Sequence, residues 1–267
     1  MHFIRDVAQP GSALAWGARG RWFESSRPDS INSVQFSYTT LTIADKILHF
    51  LARVEYDGAL PDGIRIMNPY RENEDIRNIC LSFYMKFYND NQPRALILGI
   101  NPGRLGAGAT GIPFTDTKRL FDGCGIHHDK FSTHEPSSVF IYEMIKAYGG
   151  AEKFYQRFYI NSVCPLGFVK INAGKPINYN YYDSKELESA VRDFIINNIR
   201  TQISIAEKSD ICYCLGTGKN YHYLNKLNSQ FHFFKEIIPL EHPRYIMQYR
   251  SKHKDNYIDD YIRKFQV

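Results

Sequence analysis

Apolar residues recur along this chain in two alternating patterns. Ile43, Ile47, Phe50, Leu51 and Val54 stand three or four apart, the spacing of one helix face, and Thr42-x-x-Asp45 ahead of them reads as a capping box. Asn73 is placed to cap a second helix with the face Ile76, Ile79, Cys80, Phe83 and Phe87. Helical spacing returns over residues 139–148, 184–206, 219–230 and 253–265. Between these segments lie four short apolar runs, at residues 95–100, 158–163, 211–215 and 234–239. Short apolar runs of this kind are strands covered on both faces, and strands alternating with helices pair in parallel through right-handed crossovers. The pattern predicts a three-layer α/β/α domain around a central, mostly parallel sheet of about four strands.

The first thirty residues share neither pattern. They have no helical or alternating period and no continuous apolar core of the kind a secretory signal needs. Asp6, Glu24 and Asp29 are equally out of place in a mitochondrial-type presequence. Trp22-Phe23-Glu24-Ser25 can be encoded by TGG-TTC-GAA-TCC, the usual T-arm sequence of bacterial tRNA genes. Residues 1–30 are therefore expected to be either a spurious leader, a tRNA gene translated from a misplaced start, or a disordered tail. Residues 31–267 are expected to form a single domain.

Composition narrows the class. The chain is 43% hydrophobic and 23% charged over 267 residues, ordinary for a globular protein and long enough for a sizeable core. No stretch approaches the roughly 18 consecutive apolar residues of a membrane span. The five cysteines (80, 124, 164, 212, 214) are odd in number, scattered and mostly in apolar runs. They lack the short paired spacings of zinc or iron–sulfur ligands, so reduced thiols in a cytoplasmic monomer are expected, with no metal and no cofactor. A net charge of +5 permits a nucleic-acid partner without requiring one.

In a parallel α/β sheet, ligands bind beyond the carboxyl ends of the strands. The first run is followed by Asn101-Pro102-Gly103-Arg104 and then by Gly106, Gly108 and Gly111. This loop can bring its backbone close to a ligand, yet it lacks both the G-K-[ST] of a Walker loop and the glycine spacing of a Rossmann fingerprint. Asn161, Ser162 and Cys164-Pro165-Leu166 close the second run, Gly216-Thr217-Gly218-Lys219 the third, and Glu241-His242-Pro243-Arg244 the fourth. The third of these lacks the upstream glycine of a phosphate loop and reads as a turn into a helix.

Gly99-Ile100-Asn101-Pro102-Gly103 followed by Thr110-Gly111-Ile112-Pro113-Phe114 resembles the first motif of the uracil-DNA glycosylase superfamily, in its single-strand-selective monofunctional (SMUG-like) branch, where it reads G-M-N-P-G and T-G-x-P-F. The segment Asn161-Ser-Val-Cys-Pro165-Leu is similar to the branch's N-x-C-P-L, and Glu241-His242-Pro243-Arg244 stands at its H-P-S-P-R. The three matches fall in order, each at a strand end, across roughly residues 94–250. Two departures mark a divergent bacterial subgroup. One extra residue separates Asn161 from Cys164, placing Ser162 in the asparagine register, and the Ser-Pro between Pro243 and Arg244 is missing.

The resemblance implies a monofunctional glycosylase of base excision repair that cleaves the N-glycosidic bond of uracil or a related damaged base in DNA. Two readings stay open beside it: the same fold acting on hypoxanthine or xanthine, and a non-catalytic binder of damaged or single-stranded DNA. Asn101 and His242 are the implied catalytic pair, the first orienting the attacking water or sugar, the second donating to the base's O2 as negative charge develops there. Gly103, Phe114, and either Asn161 or Ser162 would hold the flipped base, Phe114 by stacking. Asp116 is expected to cap a helix at residues 118–121 rather than to activate water. Arg104, Arg244, Tyr245, Arg250, Lys252 and Lys254 are the expected DNA contacts; the run from Arg244 to Lys254 contains no acidic residue and interleaves Tyr245 and Tyr249. No lysine sits in a site-like apolar context, so no Schiff-base step is expected.

Overall fold

The four apolar runs become the four strands of one sheet. In the computed structural model, which describes residues 41–266, these are β2 (Ala95–Gly99), β3 (Phe158–Ser162), β6 (Ile211–Leu215) and β7 (Glu236–Leu240), all parallel, in the order β3-β2-β6-β7. Every residue of β2 is buried, so both faces of the sheet are covered by the flanking helices, as a buried parallel strand requires. β7 begins two residues later than the pattern suggested, because Phe234 packs in the core ahead of it. The expectations for residues 1–40, the leader among them, lie outside the described residues.

The helices start where polar caps stand. Thr42 accepts from the Asp45 N–H at 3.2 Å while Asp45 accepts from the Thr42 N–H at 3.0 Å, the reciprocal pairing that satisfies two orphan donors. Asn73 caps residues 74–87, Ser184 caps 185–206 and Asp116 caps 117–122. Further helices run over residues 136–148, 219–231, 243–249 and 254–264. A short helix at 151–157, feeding straight into β3, was not anticipated.

A second, smaller sheet is also absent from the sequence reading. β1 (Ile64–Met67), β4 (Gly167–Asn172) and β5 (Lys175–Tyr179) form an antiparallel sheet in the order β1-β4-β5. The β4–β5 hairpin turns on Ala173 and Gly174, both left-handed, at φ 46° and 75°, the backbone that two-residue hairpins favour. Its outer residues are exposed while Gly167, Phe168 and Val169 are buried, so the hairpin is rooted in the core and reaches out along the carboxyl edge of the main sheet. Among the described residues no helix is long and apolar enough to cross a membrane.

Candidate active site

A cavity of about 330 Å³ opens at the carboxyl edge of the parallel sheet, with Asn101, Gly103, Phe114, Ser162, His242, Arg244 and Tyr245 among its walls. These come from the end of β3 and from the segments after β2 and β7, so the fold gathers residues up to 144 positions apart that the sequence had singled out separately. Phe114 is one of the aromatic walls. Its ring lies 3.2 Å from where a β-carbon on Gly99 would sit, so the glycine ending β2 makes room for it. The Phe114 backbone is left-handed, φ 53°, a strained state for an aromatic residue that persists only where the surroundings enforce it.

Asn101 is clamped by backbone. Its Oδ1 accepts from the Tyr181 N–H at 3.1 Å and its Nδ2 donates to the Tyr179 carbonyl at 3.2 Å. The donor and acceptor are both main-chain groups of fixed polarity, so the amide has one orientation; Nδ2 also lies 3.4 Å from the Pro102 carbonyl, and Oδ1 keeps one lone pair. The end of the β4–β5 hairpin and the turn after it thus aim this side chain. Arg104 is fastened to the same hairpin, its N–H donating to Asn178 Oδ1 at 3.1 Å and its guanidinium to the Pro176 carbonyl at 2.6 Å.

His242 is the N-cap of helix 243–249: its Nδ1 accepts from the Arg244 N–H at 3.1 Å. An accepting Nδ1 carries no proton, which leaves the proton on Nε2 as a donor for a ligand. Burial, with the Arg244 charge adding to it, pulls the imidazole from 6.5 down to about 4, so it is a neutral donor at physiological pH.

The register of β3 separates the two candidate base readers. Neighbouring strand residues point to opposite faces. Ser162 lines the cavity; Asn161 does not, and its amide is spent on the Tyr159 hydroxyl at 2.8 Å and the Ser162 N–H at 2.8 Å. Among the described residues no protein group bonds the Ser162 hydroxyl. The placement of Asn161 in the pocket is corrected accordingly.

Asp116 is fully buried and lies outside the cavity. Burial pushes its pKa up, but the N–H groups of Glu135 and Arg119, the Ser138 hydroxyl and the Arg119 charge outweigh it and hold the carboxyl below the usual range. It ties the start of helix 117–122 to the loop before helix 136–148. The basic run also divides. Arg244, Arg250 and Lys252 are exposed, whereas Lys254 pairs with Glu143 at 2.7 Å, so the absence of acid neighbours in sequence does not hold for it in space. Tyr245 and Tyr249 are exposed at the cavity mouth with their rings 5.5 Å apart. Glu135, Asn180 and Tyr182 also line the cavity; Asn180 and Tyr182 belong to the tyrosine-rich segment 178–182, whose composition suits either a DNA contact or a surface loop, while nothing local in the sequence marks Glu135. Among the described residues no group of three metal-ligating side chains is assembled.

A family model described as the uracil DNA glycosylase superfamily matches residues 85–266. Among solved structures, the crystal structure of wild-type SMUG2 from Pedobacter heparinus is similar at 59% identity, over 85% of this chain and 98% of that one, with a TM-score of 0.83. A search of curated proteins returns no match.

Proposed function

The chain belongs to the uracil-DNA glycosylase superfamily, and from that premise we infer that the cavity at the sheet edge is where it hydrolyses the N-glycosidic bond of uracil in DNA. The observation that carries the reading is the convergence of Asn101 and His242, from the ends of two different strands, on one cavity walled in part by Phe114. An extruded base would stack on Phe114 and meet Ser162 at its edge. As the N1–C1′ bond breaks, the electron pair passes into the base, and the neutral His242 Nε2–H donates to its O2, where the charge accumulates. Asn101 would use its remaining oxygen lone pair to orient the water that bonds to C1′ and whose proton departs to solvent. Among the described residues no lysine stands on the cavity walls to supply an amine for a Schiff base, which supports a reaction that ends at the abasic site. Alkali-labile sites appearing in uracil-containing oligonucleotides, and none appearing in undamaged ones, test the assignment; binding without cleavage would turn it into a DNA-binding role.

Ser162 bears on base range. A hydroxyl both donates and accepts, so it excludes cytosine-like edges less firmly than a fixed amide, and hypoxanthine or xanthine come within reach. Ser162→Asn should therefore sharpen the preference for uracil over hypoxanthine. Asn161→Ala should leave that preference unchanged and instead lower the melting temperature, because Tyr159 Oη loses its partner in the core. Competitive release assays on the two bases, paired with thermal melts, read both outcomes; a selectivity change confined to Asn161→Ala would return base reading to that residue.

DNA is expected to track across helix 243–249 and the residues after it. Exchanging both Arg250 and Lys252 for alanine should weaken binding to all sequences alike and reduce the log–log salt slope by about 0.7–0.9 per lost phosphate contact. Lys254→Ala should do less, since Glu143 already neutralises it. An unchanged slope in the double variant would mean that these cations face only solvent. With Tyr245 and Tyr249 exposed rather than wedged, and extrusion cheapest from an unpaired strand, single-stranded substrate is the preferred form.

A further inference from the structure

One charged group on the cavity wall has no task in the reaction above. Glu135 lies in the loop just before helix 136–148, between Asp116 and Arg244, and among the described residues its buried Oε2 has no hydrogen-bond partner. The seat is built for it. A β-carbon on Gly106 would fall 2.1 Å from that oxygen, so a residue other than glycine in this loop would displace the carboxyl.

We propose that Glu135 binds the extruded nucleotide in its protonated form, as a hydrogen-bond donor to an acceptor oxygen of that nucleotide. The proposal rests on the glycosylase reading and adds a proton to it. A carboxylate offers only acceptors, and the flipped nucleotide brings acceptors of its own: phosphate oxygens, sugar oxygens and base carbonyls. Two acceptors facing each other in a confined space repel, whereas one proton between them makes a hydrogen bond. Of the two charged neighbours, one favours that proton and one disfavours it. Ionised Asp116, from the start of helix 117–122, stands against a second negative charge; Arg244, from helix 243–249, opposes it. Burial is the largest influence, and together they lift Glu135 from 4.5 to about 7. His134, on the same loop, lies 3.6 Å from Asp116. His242 stays neutral above about pH 4, and Tyr182, pushed by burial up to about 12, is neutral throughout. DNA phosphates raise the carboxyl further, so binding takes up a proton from solvent and affinity falls as the pH rises past neutrality. The bond-breaking step uses other groups and is left untouched.

KM and kcat on a uracil-containing single strand should be measured between about pH 6 and pH 8.5 for the wild type and Glu135→Gln. The wild-type KM should rise about tenfold from pH 6 to pH 8, one pH unit above the pKa being a factor of ten, with kcat flat. The amide of Glu135→Gln donates at every pH, so its KM should stay near the low-pH wild-type value throughout. If Glu135→Gln keeps the wild-type pH dependence, or the wild type shows none, the proposal is overturned. Fluorescence anisotropy with the same strand follows the proton linkage without turnover, so a protein that binds but does not cleave would sink the functional reading and still decide this one. Inhibition by free uracil locates the acceptor: a matching pH curve indicates a base carbonyl, and a flat one a sugar or phosphate oxygen.

Discussion

Replacing Asn101 by alanine is expected to slow uracil release by two to three decades, about 2.7–4 kcal/mol of lost transition-state stabilisation, with DNA affinity nearly intact. The size follows from the amide's situation. Its orientation is imposed by the Tyr181 N–H and the Tyr179 carbonyl, so it meets the reacting centre already aligned and no rotation is needed as charge develops. Donation from Nδ2 into a carbonyl also enriches Oδ1, the atom left to hold water. The substitution also removes the hydrogen bonds to Tyr179, at the end of β5, and to Tyr181, in the turn beyond it, each worth about 0.5–1.5 kcal/mol, so a melt must accompany the single-turnover rate. A folded variant within about threefold of wild type would take Asn101 out of the reacting centre.

The second large effect is expected at His242. Alanine there removes the donor to the leaving base, with a loss in single-turnover rate approaching that at Asn101, and removes the cap on the Arg244 N–H, costing about 1 kcal/mol of stability. The histidine also gives stability a pH dependence of known sign. Above about pH 6.5 the imidazole is neutral in both the folded and unfolded chain. As the pH falls below that, the unfolded chain takes up a proton that the folded site refuses until about pH 4, so stability drops across this window by about 3 kcal/mol. Melting curves from pH 7 to pH 4 should show this acid sensitivity in the wild type and a shallower slope in His242→Ala. Equal slopes would mean that the imidazole titrates as freely in the fold as in water. Because the group stays neutral, kcat should show no step near pH 6.5.

The central sheet was legible because its strands are buried on both faces and say so residue by residue, as in Ala95-Leu-Ile-Leu-Gly99. The hairpin was not. β5 is exposed along most of its length, and Ala173-Gly174 does not advertise a left-handed pair as Asn-Gly does. Strand-end motifs located Asn101, Phe114 and His242, all of which line the cavity, but one inserted residue decides whether Asn161 or Ser162 faces it, and only strand register settles a two-residue alternation. Glu135 was invisible for a different reason. A carboxylate's burial depends on what folds over it, here Gly106 and helix 243–249, and neither is near it in the chain. The pairing of Lys254 with Glu143, 111 residues away, escaped a local count of charges in the same way.

The backbone clamp on Asn101 also sets a duty cycle. One of its partners, Tyr179, ends a strand in a hairpin whose tip is surrounded by water, the sort of segment that opens at small free-energy cost, while the other, Tyr181, is buried just beyond it. When β5 frays at Tyr179, the amide loses the carbonyl that holds its Nδ2 in line. The enzyme is ready for chemistry only during the fraction of time that this strand end is shut. An opening free energy of about 1.4 kcal/mol leaves it shut roughly ten parts in eleven, and a decade less stability leaves it shut half the time. Substitutions far out on the hairpin, touching neither DNA nor water, can therefore throttle turnover through occupancy alone.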